Sequence, residues 1–361
     1  MEKYPVLEID LKAIRQNSES MNRKMNGMGI RVCGVTKVAD GDVRVAEAYA
    51  QGGCDQIGSS RVQHLKEIKE KDSSVTTMLV RIPMECEVED VVRYVDISLN
   101  SERSTLEALD REAARQGKIH SVIIMLDCGD KREGAEGLEE LTELCVLAER
   151  LPNLKLMGIG TNWGCVSGVD PDQEKLDFLA EGARTVQNTL GRKLEIVSGG
   201  NSSLLLWIYP GKPLPPEINH IRAGGTIANP ITFRINRKIE LEGRDEHSFR
   251  LKAQIAEIKV REINLSGGGL NWRGDVMAAN RGGLRKRAII DLGSADIGNC
   301  KDLMPVDESI EVVANSSDHT VLDITDCERE YKVGDTVEFA LKYSALMYAS
   351  YSRHVYKKYI D

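Results

Sequence analysis

An alternation of short apolar strands with polar, periodic helical segments is the feature that most constrains how this chain can fold. From Arg31 onward the pattern predicts eight strands with helices between them. Strands joined through helices lie parallel, so eight such units over about 200 to 250 residues predict a closed (β/α)8 barrel. A doubly wound open sheet remains the alternative. The predicted strands are residues 31–37, 56–60, 77–83, 96–100, 121–127, 154–161, 194–198 and 218–223.

The pattern changes after Pro230. Short strand candidates separated by Gly, Asp and Asn turns replace the alternation, which predicts a second, all-β domain without a long helix. We therefore expect a barrel domain over residues 1–230 and a C-terminal β domain over residues 231–361. The predicted strands of the second domain are residues 237–242, 250–263, 286–292, 310–313, 320–325 and 336–341.

Composition excludes several classes of function. A net charge of -8 provides no positive field to attract nucleic-acid phosphates. The N-terminus lacks an apolar signal core and no run of 18 apolar residues occurs, so neither secretion nor membrane spanning is expected. The eight cysteines are scattered without a CxxC pair, which is typical of reduced thiols in a cytoplasmic protein.

Lys37 ends the first predicted barrel strand. A lysine at the end of a buried strand is costly unless it is solvated, paired or used covalently. Two interpretations stay open from this residue alone. Its amine either extends to solvent from an apolar stem or forms a Schiff base, which requires a partly deprotonated amine.

Polar and glycine residues gather at the carboxyl ends of the predicted strands, where a barrel builds its active site. Glycine-rich segments at residues 198–203 and 222–226 follow strands seven and eight and predict a phosphate cradle. Arg132 follows strand five, at the same rim as Lys37. One lysine, two arginines and a phosphate cradle together suggest pyridoxal phosphate, an anionic cofactor that carries an aldehyde.

Ordered motifs carry a resemblance to a known family. The chain resembles the alanine racemase-like, fold-type III enzymes that use pyridoxal phosphate, over nearly its whole length. Within that family it is more similar to the ornithine racemase-like branch, through Lys37 followed by Gly41-Asp42, residues 58–61 and residues 316–319. The motifs of the family resemblance are Glu8-Ile9-Asp10-Leu11 with Asn17, Val35-Thr36-Lys37, residues 127–134, Asn201-Ser202, Ile221-Arg222-Ala223-Gly224, and residues 292–296 and 317–319 of the β domain.

The resemblance implies a role for each matching residue. Lys37 would form the Schiff base and act as acid and base on one face of the substrate Cα. Arg132 would hydrogen-bond the phenolic oxygen of the cofactor, and Arg222 would face its pyridine nitrogen. Since arginine stays protonated, that nitrogen would not be, which disfavours transamination. The remaining residues implied in cofactor binding are Asn201, Ser202, Gly224, Gly225 and Tyr351.

Two departures from the family pattern concern tyrosines. The phosphate-binding tyrosine four residues after the lysine is Gly41 here, and the catalytic tyrosine has no counterpart in residues 264–277. A racemase with two bases needs a proton donor on the opposite face of the substrate. Asp275, by its spacing from Gly293, and His319 are the candidates. A turn aspartate and a core histidine are the alternative interpretations.

The resemblance implies an amino-acid racemase dependent on pyridoxal phosphate, with a small or basic substrate of the ornithine, lysine or alanine type. It also implies a homodimer with composite active sites, and no metal. One alternative is a fold-type III aldolase or dehydratase of a D-amino acid, whose relatives hold a metal through His and Cys. Another is the non-catalytic pyridoxal phosphate homeostasis protein, which consists of a barrel alone.

Overall fold

The computed structural model describes residues 3–263, 269–270, 276–277 and 282–361. The chain divides into two compact units. One is Lys12–Asp245, and the other joins Met1–Leu11 to Glu246–Asp361. Among the described helices, none has the length and the apolar composition needed to cross a membrane.

The unit Lys12–Asp245 contains a closed barrel of eight parallel strands, in which the first strand pairs with both the second and the eighth. The chain opens with β1 (Val6–Asp10) and α1 (Leu11–Asn26). The barrel strands are β2 (Arg31–Val35), β3 (Gln56–Ser59), β4 (Thr77–Leu79), β5 (Ile97–Asn100), β6 (His120–Met125), β7 (Leu154–Gly160), β8 (Ile196–Ser198) and β9 (His220–Ala223). The helices of this unit continue with α2 (Val43–Gln51), α3 (Val62–Lys71), α4 (Val88–Tyr94), α5 (Arg103–Gln116), α6 (Leu138–Arg150), α7 (Gln173–Leu190), α8 (Leu205–Ile208), α9 (Gly225–Ala228) and α10 (Pro230–Arg237).

Apolar side chains from most of the strands fill the barrel. Each fully buried aliphatic side chain contributes about 1.5 to 3 kcal/mol relative to exposure, so this cluster is a main source of the barrel's stability. Its buried members are Cys33, Val35, Met78, Ile97, Leu99, Ile123, Met125 and Ile196.

The helices begin and end where side-chain chemistry favours it. Asp42 caps α2 by accepting hydrogen bonds from the amides of Arg44 (2.9 Å) and Val45 (3.2 Å). Asp172 caps α7 in the same way through the amide of Lys175 (2.9 Å). Gly191 ends α7 in the left-handed conformation, which glycine adopts without steric cost. These caps set the ends of two of the helices that connect successive barrel strands.

The second unit is built on a mainly antiparallel sheet. Its helices are α11 (Ser294–Ile297) and α12 (Tyr343–Tyr351). Its strands are β10 (Phe249–Ile263), β11 (Gly269–Leu270), β12 (Val276–Met277), β13 (Gly283–Ile290), β14 (Leu303–Pro305), β15 (Glu311–Asn315), β16 (Thr320–Asp323), β17 (Thr336–Leu341) and β18 (Tyr356–Ile360). The main sheet has the strand order β14-β17-β10-β13-β16-β15, and β11 and β12 form a separate two-stranded sheet.

The barrel prediction is confirmed, because all eight predicted strands are present and the sheet closes. The strand predicted at residues 237–242 is wrong. Pro230 occupies the first turn of α10, which its fixed φ favours, and the helix continues to Arg237. Lys238, in the left-handed conformation, ends it. The nine-residue α12 was not predicted, since its apolar residues show no one-sided period.

The division into units differs from the predicted boundary after residue 230. Arg244 is buried and donates hydrogen bonds to the carbonyl of Thr226 and the hydroxyl of Tyr209, both at 3.0 Å. The segment before Glu246 therefore belongs with the barrel. At the other end, β1 pairs with β10 and β18, so the N-terminal strand belongs to the second unit.

Candidate active site

Lys37 lies in a 3₁₀ helix, Thr36–Ala39, immediately after β2. The strand itself ends at Val35, two residues earlier than the sequence predicts. The hydroxyl of Thr36 donates to the carbonyl of Gly58 at 3.2 Å, which ties this turn to the neighbouring strand β3. The turn closes at Asp40, whose φ of 55° is left-handed.

The amine of Lys37 has a lowered pKa. Burial is the main cause, since desolvation penalises the charged form. The nearby charge of Arg132 lowers the pKa further, and Cys165 opposes the shift. A neutral amine is the nucleophilic form, so this environment suits a lysine that condenses with a carbonyl group.

Arg222 is held inside the barrel by three hydrogen bonds. Its side chain leaves β9 and is 4% exposed. The guanidinium donates to Ser198 Oγ (2.7 Å), the carbonyl of Thr161 (2.7 Å) and Asn162 Oδ1 (2.6 Å). Burial, as the main cause, lowers the pKa of Arg222 to about 10. The group therefore stays cationic at neutral pH.

Arg132 follows β6 and forms an ion pair with the adjacent Glu133. This hydrogen-bonded pairing is the main cause of the raised pKa of Arg132. Glu133 also accepts a hydrogen bond from Asn162 Nδ2. Since Asn162 in turn accepts from Arg222, one polar chain connects the two arginines that the sequence predicts in the site.

The loops after β8 and β9 meet through Ser202. Its hydroxyl lies 3.0 Å from Thr226 Oγ1 and accepts from the amide of Gly224 at 3.4 Å. A Cβ on Gly224 would lie 2.8 Å from the carbonyl oxygen of Val35, so only glycine allows this approach to the end of β2. Gly225 begins α9, and the first amides of a helix have no partner within it.

Asn201 uses its side chain to connect two loops. Its Nδ2 donates to the carbonyl of Trp163 at 2.7 Å, and its Oδ1 accepts from the amide of Ser203 at 2.9 Å. Trp163 is fully buried and donates from Nε1 to the carbonyl of Gly199 at 2.6 Å. Asn201 therefore fixes the backbone beside Ser202.

The imidazole of His64 fills the space beside Gly41. A side chain at Gly41 would overlap this ring, and the φ of 66° also favours glycine there. His64 Nδ1 lies 2.9 Å from Ser59 Oγ, and Nε2 lies 3.3 Å from Asp40 Oδ1. The position four residues after Lys37 is thus a glycine that packs against a histidine from α3.

The remaining candidates belong to the second unit. His319 is exposed in a tight turn between β15 and β16, where its amide donates to Ser316 Oγ at 3.1 Å. It is therefore not a core histidine. Tyr351 is the last residue of α12 and is 39% exposed. Asp275 lies outside the described residues.

Sequence reasoning missed the most informative polar residue, Glu133. It lies inside the motif of residues 127–134, but nothing local distinguishes it from a surface glutamate. Asn162 directly follows the predicted strand 154–161 and Ser198 ends the predicted strand 194–198, so both belong to the predicted rim, but neither is predicted as a partner of Arg222. The sequence does offer one indication, because amide and hydroxyl oxygens can accept hydrogen bonds from a donor such as arginine.

Comparison with known proteins connects this chain to a family. The family model for the alanine racemase N-terminal domain matches residues 9–228. The chain is 35% identical to the ornithine racemase of Acetoanaerobium sticklandii over 360 residues, covering 98% of this chain and 99% of that protein. It is 34% identical to the lysine racemase of Thermotoga maritima over 360 residues, covering 99% and 98%.

Solved structures show the same fold. Alanine racemase of Clostridium difficile 630, in complex with cycloserine, matches with a TM-score of 0.72 at 20% identity, covering 100% of this chain and 96% of that chain. D-threonine aldolase from Filomicrobium marinum matches with a TM-score of 0.73 at 13% identity, covering 96% and 88%. The family model spans most of the chain and two relatives match it end to end, so the chain belongs to the alanine racemase N-terminal domain family.

Proposed function

We propose that this protein is a pyridoxal phosphate-dependent racemase of a basic amino acid. The observation that carries the proposal is the environment of Lys37, a partly buried amine of lowered pKa at the same end of the barrel as Arg222. Strands β2 and β9 are neighbours, with Cys33 opposite Arg222 in the register. The full-length similarity to an ornithine racemase and a lysine racemase supports the basic substrate class.

The residues at this end of the barrel fit the cofactor. An aldehyde needs a neutral amine, and burial of Lys37 favours that form. A phosphate needs hydrogen-bond donors on a surface without bulky side chains, which Ser202, Gly224 and Gly225 would supply. Arg132 would bind the phenolic oxygen and Arg222 the ring nitrogen. Asn201 would support the phosphate loop, and Tyr351 of the second unit would add a phosphate contact.

Pyridoxal phosphate, when bound, would supply a carbonyl carbon that condenses with amines and a ring that delocalises the charge left by the Cα proton. Lys37 Nζ would take that proton and return it on one face of the substrate. Arg222 would donate a hydrogen bond without giving up its proton, because its pKa of about 10 keeps it cationic. The ring nitrogen would thus remain unprotonated, which favours return of the proton to Cα.

Racemisation also requires a proton donor on the opposite face of the substrate. Asp275 and His319 remain the proposed candidates. Exposure of His319 supports its availability for proton exchange. Substitutions Asp275→Asn and His319→Gln separate the two. Substitution of the true proton donor would abolish hydrogen exchange at Cα for one enantiomer of the substrate. Exchange from the other enantiomer would continue through Lys37.

Substrate assays test the proposal directly. Purified protein supplied with pyridoxal phosphate would be incubated with single enantiomers of ornithine, lysine, alanine and serine, and the product would be resolved by chiral chromatography. We expect the opposite enantiomer from ornithine or lysine, and none with Lys37→Ala. Retained optical purity for all four amino acids would overturn the proposal.

We also propose a cytoplasmic homodimer, in which each partner completes the active site of the other. The resemblance to the family supports this arrangement. Analytical ultracentrifugation would report a dimer mass. Mixing inactive Lys37→Ala and His319→Gln proteins would restore part of the activity if His319 acts across the dimer.

A further inference from the structure

Glu133 contacts Arg132 directly and is connected to Arg222 through Asn162. Neither the sequence motifs nor the comparisons give Glu133 a role. We propose that Glu133 is a positioning residue, whose carboxylate holds Arg132 directly and Arg222 through Asn162 in the orientation that receives the cofactor. The inference rests on the proposed function and deepens it. It concerns the carboxylate behind the two arginines, and not a group that touches the substrate.

The hydrogen bonds that link Arg132, Glu133, Asn162 and Arg222 have only one possible direction. Arginine can only donate, and an ionised carboxylate can only accept. Asn162 must therefore present its oxygen to Arg222 and its NH2 group to Glu133, as the structure shows. Glu133 receives Arg132 at both carboxylate oxygens and Asn162 at one of them. Each member thus fixes the orientation of the next.

Burial makes these contacts consequential. The side chain of Glu133 is 12% exposed, while Asn162 is 8% and Arg222 is 4% exposed. Hydrogen bonds to charged groups are stronger when water competes little for them, and leaving a buried charge without its partner is strongly unfavourable. Loss of the carboxylate would free the Asn162 amide to rotate, which would remove one acceptor from Arg222.

The other two acceptors of Arg222 carry no charge. They are the carbonyl of Thr161 and the hydroxyl of Ser198. Ser198 Oγ also lies 3.0 Å from His220 Nδ1. Burial lowers the pKa of His220 to about 3, so this ring is neutral as well. In contrast, the negative charge of Glu133 acts on both Arg222 and Arg132.

A conservative substitution isolates this role. In Glu133→Gln the shape is kept, but one acceptor oxygen becomes an NH2 group that must face a donor of Arg132 or Asn162. We expect the dissociation constant of pyridoxal phosphate to rise about 10- to 100-fold, the range for lost charged hydrogen bonds. The matched control is Glu136→Gln, three residues further along and exposed. It should bind the cofactor as the wild type does.

The readouts are the dissociation constant of the apoprotein for pyridoxal phosphate and the visible circular dichroism of the bound cofactor. The dichroism reports a fixed, asymmetric environment, which a merely structural role of Glu133 would leave unchanged. We expect a weaker signal per bound cofactor in Glu133→Gln and partial recovery in Glu133→Asp, which restores the charge. Equal affinity and dichroism in Glu133→Gln and Glu136→Gln would overturn the inference.

If the single variants lose stability, a double-mutant cycle still measures the interaction between Glu133 and Asn162 separately from that loss. Asn162→Ala removes the link, so adding Glu133→Gln to it should cost less affinity than Glu133→Gln costs in the wild type. Fully additive losses would overturn the inference. If wild-type protein itself binds no pyridoxal phosphate at Lys37, the proposed function fails. If the wild type binds and racemises while the Glu133 variants match it, only the positioning role fails.

Discussion

Asn162 Oδ1 accepts a hydrogen bond of 2.6 Å from Arg222, and this contact joins the loop after β7 to the last strand of the barrel. The two residues are 60 positions apart in the sequence. The two residues adjacent to Arg222 on its own strand point to the opposite face of the sheet, because side chains alternate along a strand. The acceptors of Arg222 come instead from the segment after β7, which holds Thr161 and Asn162, and from Ser198 at the end of β8.

Arg222→Lys should not behave as a conservative substitution. A single ammonium cannot reproduce the planar set of donors that reaches Ser198, Thr161 and Asn162. We expect a loss of about 1 to 3 kcal/mol in the free energy of unfolding of the apoprotein, for buried acceptors left unpaired. Urea titration measures it. Arg184→Lys is the control, since its ion pair with Glu217 is half exposed and worth little.

Gly224→Ala should weaken the phosphate end of the site. The added Cβ would approach the Val35 carbonyl to 2.8 Å, so the backbone of one loop must move. We expect a loss of stability of about 1 to 3 kcal/mol, typical of overpacking, and lower affinity for inorganic phosphate and pyridoxal phosphate in calorimetry. In the control Gly137→Ala, the new methyl group meets open space. Equal affinities in the two variants would contradict the assignment of Gly224.

Gly41 and His64 should be energetically coupled. Gly41→Ala places a methyl group against the imidazole and forces a left-handed φ on alanine. In a His64→Ala background, the backbone strain at position 41 remains, but the overlap of the methyl group with the imidazole is removed. We expect Gly41→Ala to destabilise the protein more in the wild type than in His64→Ala, with a coupling of about 0.5 to 3 kcal/mol in thermal or urea unfolding. Additive effects would show that the ring does not occupy this space.

Stability should fall as the pH is lowered from neutrality. His120 is buried beside Ser98, with 2.8 Å between Nε2 and Oγ, and burial lowers its pKa to about 4. The unfolded state, with an ordinary pKa near 6.5, binds a proton that the folded state does not. His120 therefore lowers the free energy of unfolding as pH falls from about 6.5 to about 4, by about 1.4 kcal/mol per unit within this range.

His120→Gln should make the pH dependence of unfolding shallower by that amount, measured as urea unfolding at several pH values between 7 and 4. Substitution of the exposed His354 by Gln serves as the control. An unchanged slope in His120→Gln would mean that this imidazole titrates alike in both states.

Much of the barrel was predictable because each of its strands and helices has a recognisable pattern within its own short segment of sequence. Strand and helix periods placed all eight strands, and parallel topology then gathered Lys37 and Arg222 at one end. Lys37 was recognisable because a lysine is unusual at the end of a buried strand. The same reasoning located the serine and glycine residues after β8 and β9.

The rest depends on contacts between distant segments. The Glu133 to Asn162 contact spans 29 residues and depends on how two loops fold. The pairing of β1 with β10 and β18 could not be predicted from the local sequence either, because the alternating pattern of a strand does not specify its partner. The second proton donor also remains a prediction, since Asp275 lies outside the described residues and His319 belongs to the other unit.

The most direct measurement of the central claim is to identify the lysine that binds pyridoxal phosphate. Protein loaded with the cofactor would be reduced with borohydride, digested and analysed by mass spectrometry, alongside Lys37→Ala and the exposed-lysine control Lys131→Ala. We expect the pyridoxyl mass on the peptide containing Lys37 in the wild type and in Lys131→Ala, and on no peptide of Lys37→Ala. A label on another lysine, or none in the wild type, would contradict the assignment of Lys37.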